Sequence, residues 1–173
     1  VGVIINETDF EEEGFYRIPS DQYSESGLTE AITLHEEAYL SCLLGVELYQ
    51  LFKDDLSGQV PQDPIYEDIF NPFITEIDDQ VIQSEGMKNM VKGFIYWEVM
   101  KDRSYVTKES GNHTMDNENA QNLSSYNNAM VSEKRFNRGR RSAMAIQQFI
   151  CEYPEVYPTY NGKEFIIKYS AIL

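Results

Sequence analysis

Cysteine, histidine and positive charge are all scarce in this chain of 173 residues. It holds two cysteines, two histidines and one tryptophan, with 14 lysines and arginines against 29 aspartates and glutamates. Cys42 and Cys151 are too few for a disulfide framework, and both are expected to be reduced and packed. No apolar run approaches the roughly 18 residues that a bilayer span requires, so no membrane segment is expected. The opening Val-Gly-Val-Ile-Ile-Asn has neither the charged region nor the cleavage site of a signal peptide. A reducing compartment during synthesis is the expectation.

Catalytic chemistry is equally thin. His35 falls on an apolar helical stripe, where a histidine is ordinarily a core residue, and His113 lies in a polar stretch with no cysteine near it. The run His35-Glu36-Glu37-Ala38-Tyr39 supplies one histidine where a zinc-protease helix needs two. Aligning Gly58 with the glycine of a calcium loop puts Lys53 first and Pro64 last, where carboxylates are required. There is no phosphate-cradling glycine loop, nucleophile elbow or CxxC pair. The Asn-x-Ser/Thr matches at Asn6, Asn112 and Asn122 carry no weight in so asparagine-rich a sequence. No catalytic residue, metal ligand or cofactor is expected, and the chain is read as a non-enzyme.

What is present is apolar and aromatic content sufficient for a core, 42% and 13% of residues, in one domain. The charge is polarised. Residues 1–83 carry 19 acidic and 2 basic side chains, whereas residues 84–173 carry 10 and 12. Five of the 14 cations, Lys134, Arg135, Arg138, Arg140 and Arg141, fall within eight consecutive positions. A molecule with two differently charged sides is the natural reading.

Periodicity predicts a mainly α fold. Residues 1–24, with Glu11-Glu12-Glu13-Gly14 and Pro19, read as an extended N-terminal arm with at most one short strand. Leu28, Ile32, His35, Tyr39 and Cys42 then recur at spacings of 4, 3, 4 and 3, with Ser26 or Thr29 as the cap. Gly45 stops that helix, and Leu48, Leu51 and Phe52 mark one side of the next. From Lys53 to Ile82 three prolines among acidic residues predict loop. Residues 84–103 resume a helix, capped by Ser84, with Met87, Met90, Val91, Phe94, Trp97 and Met100 inward. Gly93 within that face costs about 1 kcal/mol of helix propensity, which predicts close packing there.

Residues 104–123 are polar and asparagine-rich and read as a long inter-helix loop. A last helix spans 124–152, with Tyr126, Met130, Phe136, Ala143, Ile146 and Ile150 as its buried edge and Arg140 near the core edge. Residues 154–173 form a C-terminal arm. The expected architecture is a small helical bundle over residues 25–153 with extended N- and C-terminal arms and a long inter-helix loop. Its core is expected around Leu43, Phe94, Trp97, Phe136 and Ile146. The basic cluster reads as a protein-docking face or a solvated one, with nucleic-acid phosphate as the further possibility.

Several stretches in order are similar to those of a known family. They are Leu44-Gly45-x-Glu47-Leu48-Tyr49, Gly86-Met87-Lys88, Phe94-Ile95-Tyr96-Trp97, the asparagine-rich loop, Tyr126-Asn127 and Tyr157-Pro158. Together, over roughly residues 25–160, the chain resembles the head–tail connector (adaptor) proteins of tailed bacteriophages, most nearly those of phages of Bacteroidetes hosts. The resemblance implies a virion structural protein that assembles as a ring, usually of about twelve copies, beneath the portal. Such a ring extends the DNA channel and carries the tail or neck proteins, with DNA passing through unread. It implies residence in the virion neck and in host cytoplasm during assembly. In that family loops and termini pack against neighbours, so Tyr105, Val106, Met115 and Leu123 become expected contacts to a neighbouring subunit or the portal. The acidic N-terminal region lies outside the similarity. The alternative is a non-ring helical module that binds protein or DNA through the basic helix 134–141.

Overall fold

A computed structural model describes residues 2–11, 14–18, 25–104, 106–108, 111–113 and 125–161. The fold is mainly α. Five helices dominate: α1 (Glu25–Leu44), α2 (Val46–Asp55), α3 (Pro64–Phe70), α4 (Gly86–Ser104) and α5 (Ser125–Glu152). Three two-stranded antiparallel hairpins connect them: β1 (Leu56–Ser57) with β2 (Val60–Pro61), β3 (Phe73–Ile77) with β4 (Gln80–Ser84), and β5 (Val106–Lys108) with β6 (Gly111–His113).

Helix α4 is the central element, packed against α1, α3 and α5. It runs antiparallel to α5, and the two come close because each offers the other a glycine. A β-carbon on Gly93 would stand 2.7 Å from the Arg135 carbonyl oxygen, and one on Gly139 would stand 2.8 Å from that of Met90. The close packing expected at Gly93 is therefore present, with a matching glycine on the facing helix. Around this crossing Phe94 stacks on Phe136 at 5.1 Å and on Tyr39 at 4.5 Å. Leu43, Phe94, Phe136 and Ile146 are buried.

Trp97 is not a core residue in the same sense. It is half-buried at the rim, one face on Phe136 at 5.2 Å and the Lys101 ammonium 4.8 Å from its ring centre. The inner stripe of α5 runs through Ser132, Phe136, Gly139, Ala143, Ile146 and Ile150. Met130 is exposed, contrary to its expected place on that stripe. On α1 the stripe passes through Leu28, Ile32, Glu36, Tyr39, Leu40 and Leu43, so Cys42 faces outward. Both cysteines are exposed rather than packed. Leu51 is exposed too, and Tyr49 takes its place beside Leu48 and Phe52.

The stretch from Lys53 to Ile82, expected as loop, is structured throughout most of its length. Gly58 and Gln59 have φ of 58° and 68°, and Asp78 and Asp79 have φ of 51° and 59°. Each pair is a two-residue turn with both residues left-handed, the geometry that matches strand twist in a hairpin. Between the hairpins Asp63 caps α3, its carboxylate accepting from the Ile65 amide at 2.9 Å, with Pro64 at the first helical position. Ser84, expected to cap α4, ends β4 one residue before the cap position, and its hydroxyl accepts from the Gly86 amide at 3.0 Å.

The described residues before α1 hold one 3-10 turn, Glu7–Phe10, and a second turn at Phe15–Tyr16 in which the Arg17 amide donates to the Gly14 carbonyl at 3.3 Å. Several of their side chains are part of the core. Ile4, Ile5, Phe10 and Ile18 are all buried. Glu36 holds this segment in place. Its buried carboxylate accepts from the amides of Val3 at 2.5 Å, Ile4 at 2.8 Å and Ile5 at 3.0 Å. Thr29, rather than capping α1, donates its hydroxyl to Glu7 at 2.5 Å. At the other end Tyr157 is buried after Pro154 stops α5, and its hydroxyl donates to the Ile65 carbonyl at 2.8 Å. Residues 162–173 of the expected C-terminal arm lie outside the described residues. So do Tyr105, Met115 and Leu123; Val106 opens β5 opposite His113.

Candidate functional site

The basic cluster lies on α5 where that helix passes the β3–β4 hairpin and the residues just before Ile18. Three contacts fix the hairpin to the helix. Phe73 packs on Phe149 at 5.1 Å, the Glu85 amide donates to the Ser142 hydroxyl at 3.0 Å, and Arg138 pairs through Nε with the Glu85 carboxylate. Between helix and hairpin runs an open groove of about 1050 Å³. Its walls are Lys134, Asn137, Arg138, Arg140 and Arg141 on one side, Gln83 and Glu85 on the other, with Phe15, Ser142 and Met144 completing it.

The five cations do not share one environment. Arg135 leans toward the core, its guanidinium 3.8 Å from the Tyr96 ring centre and 5.2 Å from that of Phe15. Its Nε is buried without a hydrogen-bond partner among the described residues. Arg138 is spent on Glu85 and stacks on Phe15 at 4.7 Å. The hydrogen bond to Glu85, and then the carboxylate charge, hold its guanidinium pKa above the ordinary value despite some burial. Burial first and the Glu85 charge second push the Tyr16 phenol up to about 12, so it is neutral beside the cluster.

Lys134, Arg140 and Arg141 are exposed and make no ion pair among the described residues. Arg140, expected near the core edge, faces solvent, and Arg135 occupies the inner position. The phase of the helix explains the exchange. Arg135 lies four residues before Gly139 on the inward side, while Arg140 shares the outward side with Met144.

Two exposed apolar side chains belong to the groove itself, Phe15 at 44% and Met144 at 48% exposure. Gln83 carries the surface onward, because it pairs across the hairpin with Ile74, and Ile74 and Val81 are exposed on that outer face. A surface of cations mixed with exposed apolar groups suits a protein partner, since aromatic, Met and Arg residues are enriched in protein interfaces. Phe15 and Glu85 belong to the site and were not legible in the sequence, because both reach it from distant segments.

A second exposed surface has the opposite charge. On the outer side of α1, Glu30, Thr33, Leu34, Glu37 and Ala38 line a shallow depression, and Leu34 is 65% exposed. Glu37 there accepts from Lys53 at 2.8 Å and from the Tyr49 hydroxyl at 3.1 Å, both through Oε1. Those bonds, Lys53 foremost, hold the Glu37 carboxyl below its ordinary pKa, so it stays charged.

No group of three or more metal-binding side chains occurs among the described residues, and no described helix is long and apolar enough to cross a membrane. No protein family, curated protein or solved structure matches the chain.

Proposed function

We propose that the chain is a structural protein of a tailed-phage particle, a ring-forming connector below the portal that joins the DNA-filled head to the tail. The observation that carries the reading is the pairing of two unlike exposed surfaces on one subunit. One is the groove in which Lys134, Arg140 and Arg141 make no ion pair among the described residues; the other is the acidic outer face of α1. A subunit that repeats head to tail needs two different, complementary faces, whereas a symmetric dimer needs only one. The excess of carboxylates in residues 1–83 suits a wall along which DNA slides, because carboxylates repel phosphate. The resemblance of residues 25–160 to connector proteins supports the same assignment and supplies the portal and tail or neck proteins as partners.

Purified particles from the phage that carries this sequence test the reading. The chain is expected in them in multiple copies, on the particle axis between head and tail. Its absence from intact particles overturns the proposal. Tight, salt-sensitive DNA binding by a monomer, lost when Lys134, Arg140 and Arg141 are replaced, establishes instead a nucleic-acid-binding module.

A further inference from the structure

The groove on α5 and the acidic face of α1 match each other in spacing as well as in sign. Lys134 and Arg141 are seven residues apart, so they project from one side of α5 about 10.5 Å apart along its axis. Glu30 and Glu37 are also seven apart and stand about 10.5 Å apart along α1. The glutamates bracket exposed apolar surface, and the groove that holds the two cations has exposed apolar surface of its own. Leu34 protrudes between the two glutamates, and Phe15 and Met144 offer exposed apolar surface in the groove. Tyr49 and Lys53 both bond Glu37 through Oε1, and no hydrogen bond or ion pair uses its Oε2 among the described residues.

We infer that the occupant of the groove is the outer face of α1 from a second copy of this chain. Leu34 of one copy sits against Phe15 and Met144 of the next, flanked by Glu30 pairing with Arg141 and Glu37 pairing with Lys134. The inference rests on the ring reading above and deepens it by assigning the two faces. Both surfaces are exposed in one subunit, so the contact joins two copies. Because the faces differ, it is heterologous and propagates from copy to copy until it closes. The desolvated centre supplies the apolar contact, and the charge pairs set register and reject the docking of like-charged faces. Arg138 stays with Glu85 and is not a docking cation.

Cross-linking in a background with Cys42 and Cys151 changed to serine tests the contact directly. Chains carrying only Leu34→Cys are mixed with chains carrying only Met144→Cys. The expected product is a covalent dimer in the mixture and none from either protein alone. Glu30→Arg and Arg141→Glu should each weaken self-association at least about tenfold. The two together in one chain should restore most of it, with circular dichroism confirming that every variant folds. Oligomers that form without the Leu34–Met144 cross-link, and that ignore both reversals, overturn the face assignment while leaving the connector reading intact. A chain that stays monomeric at the highest soluble concentration also overturns it, and the connector reading then stands or falls on particle content alone.

Discussion

Gly139 of α5 lies against Met90 of α4 so closely that a β-carbon on the glycine would stand 2.8 Å from the Met90 carbonyl oxygen. The obstacle is backbone, which cannot rotate away. The Phe94 ring, 3.1 Å from the same point, closes the other side.

Gly139→Ala is therefore expected to destabilise the fold despite the better helix propensity of alanine. Propensity returns about 1 kcal/mol, while forcing the helices apart costs about 1–3 kcal/mol, and valine has no compensation at all. Urea unfolding of the alanine and valine variants checks this. An alanine variant more stable than the parent would show that the helices cross farther apart than described.

Phe94 and Trp97 separate a core aromatic from a rim aromatic. Phe94 is fully buried between Tyr39 and Phe136, so Phe94→Ala should cost about 3–5 kcal/mol. Trp97 keeps one face toward Lys101 and solvent, and Trp97→Ala should cost only about 1–2 kcal/mol. Denaturation midpoints of the two variants should fall in that order.

Cys42 and Cys151 are both exposed, so two thiols should react with a disulfide reagent in the native protein. Titration with and without denaturant gives the count. Thiols that appear only on unfolding would place both cysteines inside.

The long amphipathic segments were legible because burial repeats at helical spacing. Leu28, Ile32 and Tyr39 on α1, and Phe136, Ala143 and Ile146 on α5, face inward as their spacing demands. The β1–β2 and β3–β4 hairpins were not legible, because their turns are written in Gly58-Gln59 and Asp78-Asp79 rather than the asparagine–glycine pairs that announce such turns. The basic cluster could be read as a cluster, but not divided into its parts. Arg138 is withdrawn from it by Glu85, 53 residues away, and Arg135 by the rings of Phe15 and Tyr96. Glu36 was hidden for the same reason, since its partners are backbone amides 31 to 33 residues upstream and any sequence supplies those.

Glu36 also makes the fold's pH response specific. Its carboxylate is buried, and desolvation raises its pKa above the ordinary 4.5, outweighing the three amide donors, with the Asp9 charge adding to the rise. A carboxyl raised in the folded state contributes stability that is fully present below the unfolded value and is lost as pH climbs through the folded one. Glu7 works oppositely. Its bond from Thr29 lowers its pKa, so its contribution is present above 4.5 and is lost on acidification. Glu36→Gln isolates the first effect. Glutamine keeps one acceptor for Ile4 and Ile5 but turns an amide toward the Val3 N–H, so this variant should lose about 1–2 kcal/mol. The parent's advantage over it should be largest below pH 4.5 and shrink as the pH rises through the folded value. Glu36→Ala leaves all three amides without their acceptor and should cost about 3–5 kcal/mol. Hydrogen exchange at Val3, Ile4 and Ile5 gives the independent readout. Those amides should exchange much faster in the alanine variant, while the α4–α5 crossing keeps its protection. An unchanged exchange rate there would mean that something other than Glu36 holds the N-terminal segment to α1.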